Sequence, residues 1–489
     1  MSDDDSTMAS RVRSAVIWRS GSQIVAQLVT WTSTFFVIRL LNPSDYGLFA
    51  MTQVVLSMMN LLNGYSFTGA LVQAREVSRT QVRQVLGMLV LLNFSLAAAQ
   101  FLLAPVAADY FHAPIVADML RVQALLYLTT PFIMVPQALL SRRMDFRTQA
   151  RVNIGAALVS AIVAPLCALG GLGVWTLVLA PLSLFVTRAI GLFVLGRWWV
   201  WPSFSFRGAG GVFGFGLAVL VSETLWFVQT QADVFIAGRS LAAHDVGIYT
   251  TALFLTQILV NKFVPSLNEV AFPAYARIQQ DRAMLAAGFA KAVRLIMLVA
   301  MPFSLGLALT AESLVLTILG PKWAQTVPVI RILGLAMPFV TLQILYAPAT
   351  NALGRPAIAA WVSGAGAVIM PCAYLIGVNS GVTGMAHAWL IGFPLLTLTA
   401  TLWSLPVIGL PFGKLLKALA PSALAGGVMT VVVVSADAAL PIGSEGVRLL
   451  LLIIVGAVSY GLALLLAGRT VIAELIALAR GRSPQPAAV

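Results

Sequence analysis

Arg39-Leu40-Leu41-Asn42-Pro43-Ser44-Asp45-Tyr46-Gly47-Leu48-Phe49 recurs without a gap as Arg239-Ser240-Leu241-Ala242-Ala243-His244-Asp245-Val246-Gly247-Ile248-Tyr249. Arg39/Arg239, Leu41/Leu241, Asp45/Asp245 and Gly47/Gly247 are identical, and Leu48/Ile248 and Phe49/Tyr249 are conservative replacements. The register extends upstream through Ser22/Ser222, Thr30/Thr230 and Phe35/Phe235. Each copy lies between two long apolar runs, so each reads as a short loop joining two membrane helices. A single R-x-L-x-x-x-D-x-G would say little, because Arg, Asp and Gly are ordinary helix-end residues. Two copies in equivalent hydropathic settings indicate a duplicated chain, the architecture of many secondary transporters.

The composition places that duplication in a membrane. The chain is 60% hydrophobic and 10% charged, against about a quarter charged in soluble domains. Runs of Leu, Val, Ala, Ile and Phe long enough to cross a bilayer as helices recur along its length, and they lack the alternation of barrel strands. The net charge of +13 is spread over the loops and not gathered on one face, which excludes a nucleic-acid partner. Cys167 and Cys372 lie in apolar segments and read as buried thiols; no metal, cofactor or hydrolase motif is present. Arg11 and Arg13 precede a first apolar stretch with no cleavage-like site, so it reads as a retained span.

Fourteen spans are expected, the first at 17–38, the fifth at 152–170, the sixth at 174–195, the seventh at 210–237 and the last at 448–467. Arg142, Arg143, Arg147 and Arg151 fall on one side with most other Lys and Arg, and Asp45, Asp109, Asp118 and Asp245 fall opposite. The positive-inside rule makes the basic side, with both termini, cytoplasmic. Leu120-Arg121-Val122 resembles Ile330-Arg331-Ile332, Pro131-Phe132 resembles Pro338-Phe339, and Gly171 onward resembles Gly381 onward. The expected fold is therefore all-α and integral to the membrane: two six-helix bundles, 1–207 with its linker and 208–410, followed by two appended helices and a tail, 411–489. Asn268 to Lys291 mixes aromatics with Arg277 and Arg282 and reads as an amphipathic helix on the inner leaflet.

Polar groups inside spans carry the functional signal, since they are costly there and usually face a cavity or a partner. Span one has Arg19, Gln23, Gln27, Thr30 and Thr34 on one helical face. Span seven has Glu223, Trp226, Thr230 and Asp233 on another, with Gln23 in register with Glu223. Arg188 is a further charge in span six, either a counter-ion for Glu223 or an independent anion contact. The alternative for the stripes is helix-to-helix bonding, with Arg19 snorkelling to the interface. Arg39, Asp45, Gly47, Arg239, Asp245 and Gly247 read as structural loop residues. His387, in span twelve, reads as a packed polar group.

The stretches Leu41 to Leu48, Gln231 to Arg239 with Asp245 to Tyr249, and Phe272-Pro273-Ala274-Tyr275-Ala276-Arg277 resemble Wzx-type polysaccharide flippases of the multidrug/oligosaccharidyl-lipid/polysaccharide superfamily. The resemblance covers nearly the whole chain. It implies two bundles in a V, with movement of undecaprenyl-pyrophosphate-linked oligosaccharide from the cytoplasmic to the periplasmic leaflet of the bacterial inner membrane. Arg19 and Arg188 would then attract the pyrophosphate, and Trp226 would stack on a sugar. Gln23, Gln27, Thr30 and Thr230 would bond hydroxyls, and Glu223 or Asp233 would couple transport to a proton or sodium gradient. Membrane lipids, a polysaccharide polymerase and a chain-length regulator are the implied partners. A drug/cation antiporter of the same fold and a membrane glycosyl- or acyltransferase or polymerase are the alternatives; the latter would be expected to show a catalytic motif in a long non-cytoplasmic loop.

Overall fold

The computed structural model describes residues 21, 23–62, 71, 77–196, 200–204, 213–439 and 443–467, with the backbone alone at 213–223, 262–267, 269, 270 and 467. Sixteen helices of seven residues or more lie among the described residues. In the N-terminal half they are α1 (23–40), α2 (Pro43–Asn60), α3 (Arg79–Tyr110), α4 (Ile115–Gln123), α5 (Leu125–Arg142), α6 (Phe146–Leu169) and α7 (Trp175–Gly196). After them come α8 (Phe213–Ser240), α9 (Ala243–Arg277), α10 (Arg282–Leu309), α11 (Thr326–Ile344), α12 (Tyr346–Ala352), α13 (Pro356–Gly377), α14 (Gly381–Ile408), α15 (Phe412–Ala439) and α16 (Glu445–Ala467). The described parts of the expected spans are mostly helical, and nine helical stretches among the described residues are long and apolar enough to cross a membrane. Leu102, Ile376 and Leu466 are among many large apolar side chains turned outward. A multi-pass membrane protein requires this, because lipid and not water meets its surface.

Helix starts follow local chemistry. Pro43 opens α2 after extended Asn42, whose N–H donates to the Asp45 carboxylate at 3.0 Å; Pro at the first position has no N–H to leave unpaired, and the acid favours the helix's positive end. Ser78 and Gln81 form a reciprocal capping box on α3. Asp145 accepts from the Thr148 N–H and hydroxyl at the start of α6, and Asp281 accepts from the Met284 N–H at the start of α10. Pro131 in α5 and Pro338 in α11, paired by the duplication, are both buried inside helices. Neighbouring helices make such interruptions tolerable at membrane depth.

Two compact units result. The first comprises the described residues up to Phe227 together with Ala242–Gly247; the second comprises Val228–Leu241 and the chain from Ile248 onward. In the first unit α7 packs on α5 and α6, and α3 packs on α4 and α5. The second copy of the repeated loop is built into this unit: a Cβ on Gly47 would overlap the Ala243 carbonyl, and a Cβ on Gly247 would overlap the Pro43 carbonyl. Glycine recurs in the motif because the two copies cross backbone to backbone.

In the second unit α14 packs on α11 and α13, and α10 packs on α11 and α15. A Cβ on Gly334 would lie 2.9 Å from the Ser304 carbonyl oxygen, so only a glycine lets α11 approach α10 there. The appended α15 and α16 bury Leu298, Met429, Leu452 and Tyr460 together, and the Tyr460 hydroxyl donates to the Leu298 carbonyl at 3.0 Å. Arg448 pairs with Asp437 at 2.8 Å, and Ser313 donates to Glu445 at 2.8 Å. The appendage is thereby tied to the bundle.

Two expectations need correction. Asn268 to Lys291 is not one amphipathic helix: α9 ends at Arg277 and α10 begins at Arg282. Tyr275, Leu285 and Phe289 are buried in packing, and Asp281 caps a new helix where a surface helix would run through. Cys372 is exposed and Cys167 only partly buried, because an apolar segment in this chain has an outward face as apolar as its inward one. Of the linker that ends at 207, residues 197–199 and 205–207 lie outside the described residues. Ser203 of that linker donates its N–H to the Arg83 carbonyl at 2.9 Å, and Arg83 Nε donates to the Trp201 carbonyl at 3.2 Å, fastening the segment along α3.

Candidate substrate site

The first unit contains a polar cavity of about 430 Å³, within the roughly 300–1,000 Å³ range of small-molecule sites. From α1 come Gln23, Gln27 and Thr30, whose spacing of four and three keeps them on one face. From α5 come Gln137 and Ser141, from α6 Gln149 and Asn153 one turn apart, and from α7 Arg188. Arg188 lies about 20 Å along α7 from Trp175 at 1.5 Å per residue, deep within the span. Its Nη2 donates to Gln137 Oε1 at 3.1 Å. Gln149 Nε2 donates to the Gln137 carbonyl at 3.1 Å and to Ser141 Oγ at 2.9 Å, which links α5 to α6. Thr30 donates to the Ala26 carbonyl at 2.8 Å, leaving its oxygen as an acceptor. Amides offer donors and acceptors together and the guanidinium offers a fork for an oxyanion. The wall therefore matches hydroxyl-rich matter with a negative group.

The second unit holds a different constellation. Asp233 on α8 is 3% exposed. Its Oδ1 accepts the Val234 N–H at 2.7 Å, and its Oδ2 accepts the Tyr249 hydroxyl at 3.0 Å. Trp389 Nε1 on α14 donates to the Tyr249 oxygen at 2.7 Å, and the Trp389 ring stacks on Phe393 at 4.6 Å and lies 6.5 Å from the Tyr374 ring. One turn earlier, Gln229 is buried against α13, where a Cβ on Gly366 would overlap its amide. A carboxylate is thus held in an aromatic cage by a chain of donors, Trp389 to Tyr249 to Asp233.

Of the residues singled out by sequence, Gln23, Gln27, Thr30 and Arg188 share the cavity. Arg19 lies outside the described residues, and Glu223 is placed by backbone alone on α8. Trp226 and Thr230 are exposed on α8 and are not among the described residues lining that cavity. Arg39 and Arg239 are exposed at helix ends, and Asp45 caps α2. His387, expected as a packed polar group, is instead exposed, its Nδ1 bonded to the Thr383 carbonyl at 2.8 Å one turn back on its own helix. Sequence reasoning missed Gln137, Gln149 and Asn153: Gln149 fell before the expected start of span five at 152 while α6 begins at Phe146, and Gln137 and Asn153 are single amides within apolar spans. It also missed Tyr249, whose only signal was a hydroxyl where the first repeat has Phe49.

Residues 36–328 match the family model described as polysaccharide biosynthesis protein. The chain belongs to that family. The chain is 25% identical over 452 residues to the succinoglycan biosynthesis transport protein ExoT of Rhizobium meliloti (strain 1021), spanning 92% of each chain. It is 24% identical over 302 residues to the lipopolysaccharide biosynthesis protein WzxC of Escherichia coli (strain K12), spanning 60% of each. Among solved structures it is similar to the lipid II flippase MurJ in an inward closed conformation, with a TM-score of 0.73 at 12% identity over 93% of this chain and 100% of that one. It is also similar to an inward-facing MATE family multidrug transporter of the MOP superfamily, with a TM-score of 0.62 at 14% identity over 81% and 98%. The chain shares the fold of those two structures.

Proposed function

We propose that this protein is a flippase for lipid-linked oligosaccharide repeat units, moving them from the cytoplasmic to the periplasmic leaflet of a bacterial inner membrane for exopolysaccharide, capsule or O-antigen assembly. The observation that carries the reading is the cavity of the first unit, where Arg188 stands at membrane depth among Gln23, Gln27, Gln137, Gln149 and Asn153. The guanidinium takes the carrier pyrophosphate and the amides take sugar hydroxyls, with Arg19 a second cation for the same anion. Trp226, Thr230 and Glu223 on α8 contribute further substrate contacts. Asp233, bonded to Tyr249, is the group through which a proton or sodium gradient drives the cycle. Both termini are cytoplasmic by the basic-loop bias, and a polymerase and chain-length regulator receive the product. The chain works as a transporter and not as an enzyme.

The buried Asp233 supports one other reading, a cation-coupled drug antiporter of the same fold. A deletion strain separates the two. Flippase loss leaves lipid-linked repeat units on the cytoplasmic leaflet and stops surface polysaccharide while tolerance of cationic dyes is unchanged. Normal polysaccharide with new dye sensitivity replaces the flippase by the antiporter.

A further inference from the structure

The amides of the first unit's cavity fall into two sets. Gln137 and Gln149 are bonded into the wall: Gln149 Nε2 reaches the Gln137 carbonyl and Ser141 Oγ, and Gln137 Oε1 accepts from α7. Gln23, Gln27 and Asn153 line the same cavity, yet their side-chain amides make no hydrogen bond among the described residues. They come from two helices that are held side by side, because Ser33 Oγ on α1 donates to the Ala161 carbonyl on α6 at 3.3 Å. Counted back from that contact at 1.5 Å per residue, Gln27 lies about 9 Å and Asn153 about 12 Å toward the N-terminal ends of their helices. Two open amides from different helices therefore stand at nearly one level of the cavity, with Gln23 one turn beyond Gln27.

Their chemistry limits what they can recognise. A primary amide offers two donors and an acceptor, and a hydroxyl needs one of each opposite it. Neighbouring hydroxyls on a sugar ring can thus meet the oxygen and the nitrogen of a single amide. An open amide within a membrane span is costly unless it faces water or a ligand, and Thr30 adds a hydroxyl oxygen whose own proton is taken by the Ala26 carbonyl. No acidic side chain lines the cavity among the described residues, and Phe146 is its one aromatic, so these groups do not suit a lipophilic cation.

We propose that Gln23, Gln27 and Asn153 are the specificity-determining residues of this cavity, recognising the hydroxyl pattern of a neutral sugar residue in the lipid-linked substrate, while Gln137, Ser141 and Gln149 hold the wall. The inference rests on the reading of this cavity as the substrate site.

The test uses full-length protein in detergent and three probes: farnesyl pyrophosphate and its glucosyl and galactosyl derivatives, which differ from each other in the direction of one ring hydroxyl. Affinities are measured by calorimetry for wild type, Gln23→Met, Gln27→Met, Asn153→Leu and Asn153→Gln, alongside melting temperature. Wild type is expected to bind a glycosyl derivative more tightly than the bare lipid. Gln23→Met, Gln27→Met and Asn153→Leu should each lose about threefold to tenfold of that preference, with the affinity for bare farnesyl pyrophosphate and the melting temperature held. Asn153→Gln keeps an amide but moves it by one methylene, and should shift the ratio of glucosyl to galactosyl affinity by at least about threefold. Should one variant fail to accumulate, the others decide. The inference is overturned if the folded variants keep the wild-type preference and ratio, if they lose affinity for the bare lipid by the same factor as for its glycosyl forms, or if wild type binds all three probes alike. A wild type that binds none of the three marks a different failure, that of the substrate-site reading itself.

Discussion

Ser33 and Asp233 stand at the same register of the duplication, as do Phe49 and Tyr249, yet the two units have used those positions for opposite chemistry. In the first unit Ser33 donates to the Ala161 carbonyl at 3.3 Å, and Phe49 packs in an apolar cluster with Met119, Val174 and Val178. In the second, one added hydroxyl on Tyr249 and one carboxylate on Asp233 convert the corresponding place into a donor chain reaching Trp389. The charge of the first unit's cavity lies elsewhere, on α7 at Arg188, and the Gly171/Gly381 register places Leu398 opposite it in the second repeat. The two units thus carry different charges, an arginine in the cavity of the first and a buried carboxylate in the second, which the proposed function reads as a cation for cargo and a carboxylate for a driving ion.

The comparison breaks first where the copies are most alike. Gly47→Ala and Gly247→Ala each force a methyl into a backbone carbonyl, and overpacking of this kind costs about 1–3 kcal/mol or more. Both variants should lose most of their folded protein, to similar extents, as read by fluorescence-detected size exclusion. Equal abundance of either variant to wild type would show that the crossing opens without strain.

The divergent pair gives the next largest effect. Phe49→Tyr sets a hydroxyl among Met119 and Val178, and a buried hydroxyl without a partner costs roughly 1–3 kcal/mol. Tyr249→Phe removes the acceptor of the Trp389 N–H and the donor to Asp233, again about 1–3 kcal/mol by the cost of unmade buried bonds. Ser33→Ala, by contrast, should cost under about 1 kcal/mol, because its hydroxyl makes one long bond in a partly buried place. Thermal unfolding in detergent orders the three, and a Ser33→Ala loss equal to that of Tyr249→Phe would remove the distinction between the units.

The smallest effect is at the cap. Asp45→Ala removes the carboxylate that takes the Asn42 N–H and should lower stability by about 1 kcal/mol, with transport per folded molecule unchanged. Abolished transport at normal abundance would move the loop from scaffold into mechanism.

The fold was legible because its determinants are local and periodic. Twenty-residue apolar runs and a loop repeated 200 positions apart need no tertiary information to be read. Half of the candidate site was legible for the same reason: Gln23, Gln27 and Thr30 announce a face by their spacing on one helix. Gln137 and Gln149 could not, since Gln137 is a lone amide on α5 and Gln149 fell before the expected start of its span, and each becomes part of a wall only when α5, α6 and α7 pack. Tyr249 and Trp389 are 140 residues apart, and nothing in an apolar run marks which aromatic will meet a carboxylate. The reading of Cys372 failed for the complementary reason, that apolar context means inside in water and either side in lipid.

The division of labour between the units is tested most directly in proteoliposomes holding lipid-linked oligosaccharide, with flipping followed by the accessibility of the glycan to an impermeant reagent. Initial rates are compared with and without an imposed proton or sodium gradient for wild type, Arg188→Ala and Asp233→Asn. Arg188→Ala should lose charge-assisted contacts of about 2 kcal/mol, roughly thirtyfold in rate at low substrate, yet still accelerate under the gradient by the wild-type factor. Asp233→Asn should keep the wild-type rate without a gradient and fail to accelerate with one. If instead Asp233→Asn lost affinity for the glycan lipid while Arg188→Ala kept it, the assignment of cargo to the first unit and coupling to the second would be contradicted.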